Sequence, residues 1–236
     1  MAQYIDSIQP MILAGGLGTR LRSVVSDRPK VIADINGEPF LKYLLEQLIK
    51  EDFKSVLILC GYLGNMIKSH FGHKYKSLDL FYSQEKKALG TGGAIKLAAK
   101  KTSKDNLLVL NGDTYQTSSR KNFLQMVPQG AEAIMTQRIE DTSRYGRIEV
   151  DKQNRITGLY EKQLCKGEGL INTGTYLINR KNIINYPKDK FSIETDYITN
   201  QIKNLKIFSV ETKGIFVDIG IPEDFFAAEN ILKSSL

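Results

Sequence analysis

Ile8-Gln9-Pro10-Met11-Ile12-Leu13-Ala14-Gly15-Gly16-Leu17-Gly18-Thr19-Arg20-Leu21 is the stretch on which the fold turns. Ile8 to Ala14 is a short apolar run of the kind buried in a parallel sheet, and three glycines follow at its carboxyl end. Open α/β sheets bind ligands at that edge. Glycine tolerates positive φ and carries no Cβ, so successive backbone N–H groups can converge on phosphate oxygens. A tight strand-to-helix turn is the plainer reading of such a loop. Arg20 and then Arg28-Pro29-Lys30 put permanent cations in the same segment, which favours phosphate. A P-loop would need Gly-Lys-Ser/Thr after its glycines, and a dinucleotide fingerprint a third glycine where Leu21 stands; neither is present.

Working outward, Ser55 to Cys60, Leu78 to Tyr82 and Leu107 to Leu110 are further apolar runs of strand length. Between them, Pro39 to Lys50 places Phe40, Leu41, Leu44, Leu45, Leu48 and Ile49 on one helical face, with Pro39 in the first turn. A second helix is predicted from about Gly92 to Lys101. Strand and helix alternating in this way predict a doubly wound, Rossmann-like α/β fold with helices on both faces of the sheet. Past Gln129 the segments Ala133 to Arg138, Arg147 to Val150, Arg155 to Tyr160 and Leu170 to Ile178 read as mixed strands. The expectation is therefore one domain over 1–236, with a change of texture near 129; the resemblance described below implies a nucleotide-binding half to about 129, then a half with a small sugar-binding lobe and a second metal ligand. A last amphipathic helix is predicted from Pro222, with Glu223 and Asp224 in its first turn and Phe225, Ile231 and Leu232 buried.

Length and composition bound the function class. The chain has 236 residues, 42% of them hydrophobic, enough for a substantial core. No apolar run approaches the roughly 20 residues that span a bilayer, and Met1 to Pro10 lacks a signal core, which predicts a cytoplasmic protein with no membrane partner. Two cysteines, Cys60 and Cys165, cannot build a disulfide framework or a cysteine metal site. The net charge of +7 is spread along the chain without a basic run, as on a lysine-rich solvated surface, so no nucleic-acid partner is predicted.

The glycine loop with Pro29-Lys30 resembles the signature of the sugar-1-phosphate nucleotidyltransferases. The resemblance continues in order through Leu89-Gly90-Thr91-Gly92-Gly93-Ala94, Leu110-Asn111-Gly112-Asp113-Thr114, Tyr160-Glu161-Lys162, Ile171-Asn172-Thr173-Gly174 and Val217-Asp218-Ile219-Gly220-Ile221-Pro222. It implies a glycosyltransferase A-like fold with a mixed, mainly parallel sheet, and a reaction that joins a nucleoside triphosphate to a sugar 1-phosphate. Within the family, Arg22 to Lys30 and Asn36-Gly37-Glu38-Pro39-Phe40 are most similar to the D-glycero-D-manno-heptose 1-phosphate guanylyltransferases. That similarity implies GTP and heptose 1-phosphate as substrates and GDP-heptose for surface polysaccharides as product. Ser23 and Val31 stand where many relatives carry proline.

In such a reaction a sugar-phosphate oxygen, already an anion at neutral pH, attacks the α-phosphorus in line. Fixed cations and a metal are needed rather than a general base, and only His70 and His73 occur, without a partner motif. Asp113 follows an apolar strand and a small turn, which aims it at the edge carrying the glycine loop. The resemblance pairs it with Asp218 as ligands of Mg²⁺. Arg20 is expected to grip the β- and γ-phosphates and Lys30 to sit near the α-phosphate, making Arg20, Lys30 and Asp113 the catalytic set. Leu13, Ala14, Gly15, Gly16, Gly18 and Thr19 should lie against the nucleotide, with Gly90 and Thr91 closing the pocket. Gln84 or Glu85 should read the base edge, Glu85 better matching the donors of guanine. The resemblance carries Gly112, Gly146, Glu161, Lys162 and Asn172 onto sugar and phosphate contacts.

Competing readings are a mannose 1-phosphate guanylyltransferase, a uridylyl- or cytidylyltransferase acting on another sugar phosphate, and a non-catalytic regulatory or binding subunit with this fold. The combination of Arg20, Lys30, Asp113 and Asp218 argues against the last. No further domain, and so no fused acyltransferase activity, is expected after the final helix. Oligomeric state, a homo-oligomer included, is left open.

Overall fold

The computed structural model describes residues 5–16, 21, 27–61, 63–160, 167–204 and 206–233. In chain order the strands are β1 Ile8–Ala14, β2 Asp34–Ile35, β3 Glu38–Pro39, β4 Ser55–Cys60, β5 Lys74–Tyr75, β6 Leu78–Gln84 and β7 Asn106–Asn111. They continue as β8 Thr114–Gln116, β9 Glu132–Ile139, β10 Arg147–Val150, β11 Ile156–Tyr160, β12 Gly169–Asn179, β13 Ile207–Thr212 and β14 Phe216–Asp218. The helices are α1 Phe40–Lys50, α2 Gly64–Phe71, α3 Gly90–Ala99, α4 Arg120–Met126, α5 Arg180–Ile184, α6 Thr199–Lys203 and α7 Pro222–Leu232. A 3₁₀ turn covers Lys30–Ile32, and a π-helical turn, Ile193–Ile198, runs into α6.

Among the described residues, one mixed sheet of ten strands runs in the order β11-β10-β12-β7-β1-β4-β6-β5, with β9 beside β12 and β13 beside β9. Its centre, β7-β1-β4-β6, is parallel. β1, β4 and β7 are largely apolar because both faces are covered, whereas β6 alternates, with Asp79, Phe81 and Gln84 exposed; along each strand alternate residues feed opposite layers. Ile12, Ile58 and Leu80 pack under α1, α2 and α7. Met11, Leu57, Leu59 and Val109 pack under α3, α5 and the π-helical turn. In α1, Phe40, Leu41, Leu44, Leu45 and Leu48 are fully buried, each worth roughly 1.5–3 kcal/mol. Pro39 precedes this helix as its cap, in extended conformation (φ −60°, ψ 135°), rather than sitting in its first turn. The second predicted helix runs from Gly90 to Ala99, two residues earlier at each end than expected.

Past residue 129 the strands join the same sheet, and β12 is the hinge between its two parts. Its carboxyl half pairs antiparallel with β7 (Thr175 with Leu110) and its amino half with β10 (Arg147 with Ile171), while β9 runs along its other edge. The register along β9 slips between Asn172 and Thr175, leaving a bulge. Gly174, at the bulge, has φ +76° and lies so close to Asn111 that a Cβ would come within 2.7 Å of the amide. A side chain there would be strained in its backbone and blocked in space. α7 begins at Pro222, with Glu223 and Asp224 in its first turn, and buries Phe225 and Leu232 with Ile231 partly covered. Among the described residues no helix is long and apolar enough to cross a membrane.

Candidate active site

A cavity of about 250 Å³ opens at the carboxyl edge of β1 and β7. Leu13, Ala14 and Gly16 line it from the first strand and its loop, Lys30 and Val31 from the 3₁₀ turn, and Thr91 from α3. Asn111, Gly112, Asp113 and Gly220 complete the lining. The approach of β1 to β7 is tight here. Gly112 N–H donates to the Leu13 carbonyl at 3.0 Å, and a Cβ on Gly112 would fall 2.3 Å from that oxygen. Gly15 meets Gly61 less closely, its would-be Cβ 3.0 Å from the Gly61 nitrogen. Glycine at 112 is thus required by packing whatever ligand binds, while at 15 a Cβ would need its neighbour to give slightly.

Asp113 and Asp218, distant in sequence, are brought together by a three-residue antiparallel pair. β8 faces β14 with Thr114 opposite Asp218, and Ile219 N–H donates to the Asp113 carbonyl at 2.9 Å. Lys30 Nζ lies 2.8 Å from Asp113 Oδ2, the lysine side chain 11% and the aspartate side chain 38% exposed. Asp218 Oδ1 accepts from Gly220 N–H at 2.7 Å. Lys30 and Asp113 therefore line the cavity together, and Asp218, outside the lining, is carried next to the Asp113 backbone by the β8–β14 pair. Among the described residues no group of three or more His, Cys, Asp and Glu side chains gathers to hold a metal.

The second glycine-rich turn is fastened to the segment before the π-helical turn. Phe191 N–H donates to the Leu89 carbonyl at 2.9 Å, Gly92 N–H to the Phe191 carbonyl at 3.0 Å, and Ile193 N–H to Thr91 Oγ1 at 2.9 Å. Gly90 takes φ +74°, and a Cβ there would meet the Phe191 carbonyl at 2.5 Å. Gln84 and Glu85 lie on the same sheet edge but outside the cavity lining. Gln84 is exposed and pairs with Cys60 across β4 and β6. Glu85 Oε2 accepts from Leu89 N–H at 3.1 Å, so its carboxylate also braces the turn carrying Gly90 and Thr91.

Of the residues expected on the sugar side, Gly112 lines the cavity, and Gly146 precedes β10 with its would-be Cβ 3.0 Å from the Tyr160 carbonyl. The neighbouring Tyr145 ring lies edge-on to Phe216 of β14 with centroids 5.6 Å apart, and Arg144 pairs with Asp224 of α7. These contacts hold the Gly146 segment beside the strand that ends in Asp218. Asn172 is half-buried. Its amide donates to Tyr176 OH at 2.8 Å and to Glu194 Oε1 at 2.9 Å, and its carbonyl accepts from Gly174 N–H at 2.9 Å. Gly18, Thr19, Arg20, Glu161 and Lys162 lie outside the described residues.

Sequence reading passed over Val31, Asn111 and Gly220 as lining residues, and Tyr176 and Glu194 as partners of Asn172. Asn111 and Gly220 sit inside the motifs quoted above, so a signal for them existed. Nothing local marks Glu194, which reaches Asn172 only through tertiary folding. Tyr176 is fully buried, and burial first, then the Glu194 charge, push its phenol well above its ordinary range. It stays a protonated donor to Glu194.

The chain matches the nucleotidyl transferase family over residues 9–235. It is 36% identical over 229 residues to a D-glycero-alpha-D-manno-heptose 1-phosphate guanylyltransferase of Aneurinibacillus thermoaerophilus, covering 96% of this chain and 99% of that one. To the enzyme of the same name from Campylobacter jejuni it is 36% identical over 220 residues, 93% of this chain and 97% of the other. Among solved structures, HddC from Yersinia pseudotuberculosis is 36% identical and superposes with a TM-score of 0.86 over 95% of this chain and 99% of its own. Its complex with GMP-PN superposes with a TM-score of 0.85. The sheet-edge cavity, with Lys30 and Asp113 in its lining, thus sits on a fold and a near-full-length sequence match that agree, and the chain belongs to the nucleotidyl transferase family.

Proposed function

We propose that this protein transfers the guanylyl group of GTP to D-glycero-D-manno-heptose 1-phosphate in a Mg²⁺-dependent reaction, releasing pyrophosphate and giving GDP-heptose for surface polysaccharide synthesis. The observation that carries the reading is the 36% identity to a heptose 1-phosphate guanylyltransferase across 99% of that enzyme's length. The cavity supports it chemically. A phosphate oxygen of the sugar 1-phosphate supplies the electron pair for a new bond to the α-phosphorus, and the bond from that phosphorus to the β-bridging oxygen breaks. The leaving electron pair goes out on pyrophosphate, and no proton moves.

What the reaction asks of the protein is fixed charge. Lys30, now 2.8 Å from Asp113, is the described cation placed to take up negative charge building at the α-phosphate. Arg20 is assigned to the outer phosphates, and Glu161 and Lys162 join Gly146 and Asn172 on the sugar. Asp113 and Asp218 fit Mg²⁺: both offer hard oxygens, among the described residues no thiolate or imidazole joins them in a cluster, and one or two carboxylates plus substrate oxygens are what this ion takes. When bound there it neutralises phosphate charge.

A pyrophosphate-release assay crossing GTP, UTP, CTP, ATP and dTTP with heptose, mannose and glucose 1-phosphates, with and without Mg²⁺, tests the reading. GTP with heptose 1-phosphate should dominate and depend on the metal. Dominance of mannose 1-phosphate would replace the sugar, and no metal-dependent release with any pair would overturn the enzyme reading. For base choice, Glu85→Gln should shrink the preference for GTP over UTP by about 10-fold, the worth of one charged hydrogen bond. An unchanged ratio would leave Glu85 only its structural bond to Leu89.

A further inference from the structure

Glu194, itself outside the cavity lining, connects two segments that border it. On one side, Ile193 N–H donates to Thr91 Oγ1, and Thr91 lines the cavity. On the other, the bulge at Asn172 to Gly174 lies against Asn111, a second lining residue beside Gly112 and Asp113. The glutamate is half-buried on a π-helical turn, a distortion frequent at functional sites. Its Oε1 accepts from both Tyr176 OH, at 2.7 Å, and Asn172 Nδ2, at 2.9 Å. Its Oε2 makes no hydrogen bond among the described residues and is not sealed from solvent. Both donors on Oε1 are neutral side chains. A rigid anionic acceptor with one oxygen left over is suited to a ligand hydroxyl, and ill suited to a phosphate.

We propose that Glu194 is a specificity residue for the acceptor, its Oε2 accepting a hydroxyl of the sugar 1-phosphate while Tyr176 and Asn172 hold the carboxylate in place. This deepens the transferase reading above and rests on it. The residue touches the sugar and takes no part in the phosphoryl chemistry, so its loss should appear in sugar binding. GTP binding should hardly change.

The test uses Glu194→Gln, which keeps an Oε1 for the same two donors, and Tyr176→Phe, which removes only the hydroxyl that orients the carboxylate. KM is measured separately for GTP and for whichever sugar 1-phosphate the unmodified enzyme turns over in the panel, with melting temperature as a check on folding. Glu194→Gln should raise the sugar KM by about 10-fold or more, with the GTP KM within about 2-fold. Tyr176→Phe should shift the same constant the same way by less. An unchanged sugar KM, or equal rises in both constants, overturns the proposal, and Tyr176→Phe decides alone should the other variant fail to fold. If mannose 1-phosphate is the substrate and Glu194→Gln still raises its KM selectively, the heptose reading falls and this proposal stands. If heptose 1-phosphate is used and the variants match the parent, the reverse holds. No turnover of any sugar 1-phosphate would overturn both.

Discussion

Replacing Lys30 with alanine should lower kcat on the order of 10²-fold or more, while the KM for GTP changes far less. Lost transition-state electrostatics typically cost about 2.7–4 kcal/mol, and the lysine is placed where such a loss is expected. The competing explanation, that the variant only loses an ion pair holding the fold, fails on magnitude. Asp113 is 38% exposed in that pair, so its charge is already solvated and the pair should contribute no more than about 1 kcal/mol to stability. Urea melts and steady-state rates on one preparation separate the two. Near-normal turnover would remove Lys30 from the mechanism, and a melting deficit large enough to empty the folded state would make the rate loss uninformative about charge.

The parallel centre of the sheet was legible because burial on both faces leaves an uninterrupted apolar run: Ile8–Ala14 and Ser55–Cys60 match expectation residue for residue. Short elements were not. β2 and β3 hold two residues each, and β8 three, so their conformation is set by pairing partners with no room for a periodic signal. This matters for the site, since it is β8 against β14 that sets Asp113 beside Asp218. The resemblance linked those two aspartates in sequence, yet the physical reason lies in a ladder that hydropathy cannot show. Glu194 is a further case. Ser192 caps the π-helical turn by accepting from Glu194 and Thr195 N–H, but a Ser-Ile-Glu run reads equally well as an ordinary helix start. Lys30 and Asp113 were both identifiable as charged residues in glycine-rich company. That they would meet at 2.8 Å was not.

The largest loss of stability is expected from Arg120→Ala, about 3–5 kcal/mol. Arg120 is 2% exposed at the start of α4, where its backbone N–H donates to Glu51 Oε1 at 2.8 Å and its Nη2 to Gln47 Oε1 at 2.7 Å. Burial lowers the arginine's pKa and raises that of Glu51, so desolvation outweighs the attraction on both sides. Such a pair adds little net stability while intact, but removing one member strands the other as a buried charge. Exchanging both, as Glu51→Gln with Arg120→Met, should therefore recover most of the deficit, since the glutamine oxygen can still accept from the residue 120 N–H. The single variant carries a pH signature as well. With Glu51 held above its ordinary 4.5, folding is least penalised below that pH, and stability is lost as pH rises through the higher folded-state value. Urea melts of Arg120→Ala should consequently show a smaller deficit in acid than near neutrality; an equal deficit would mean that packing, and not the stranded carboxylate, carries the loss. The consequence reaches the catalytic edge, because Gln47, which Arg120 holds, also donates to the Gln116 carbonyl at 2.7 Å and so fixes the far end of β8. Loosening that end loosens the ladder on which Asp113 and Asp218 meet, so Arg120→Ala should weaken turnover even at temperatures where the chain remains folded.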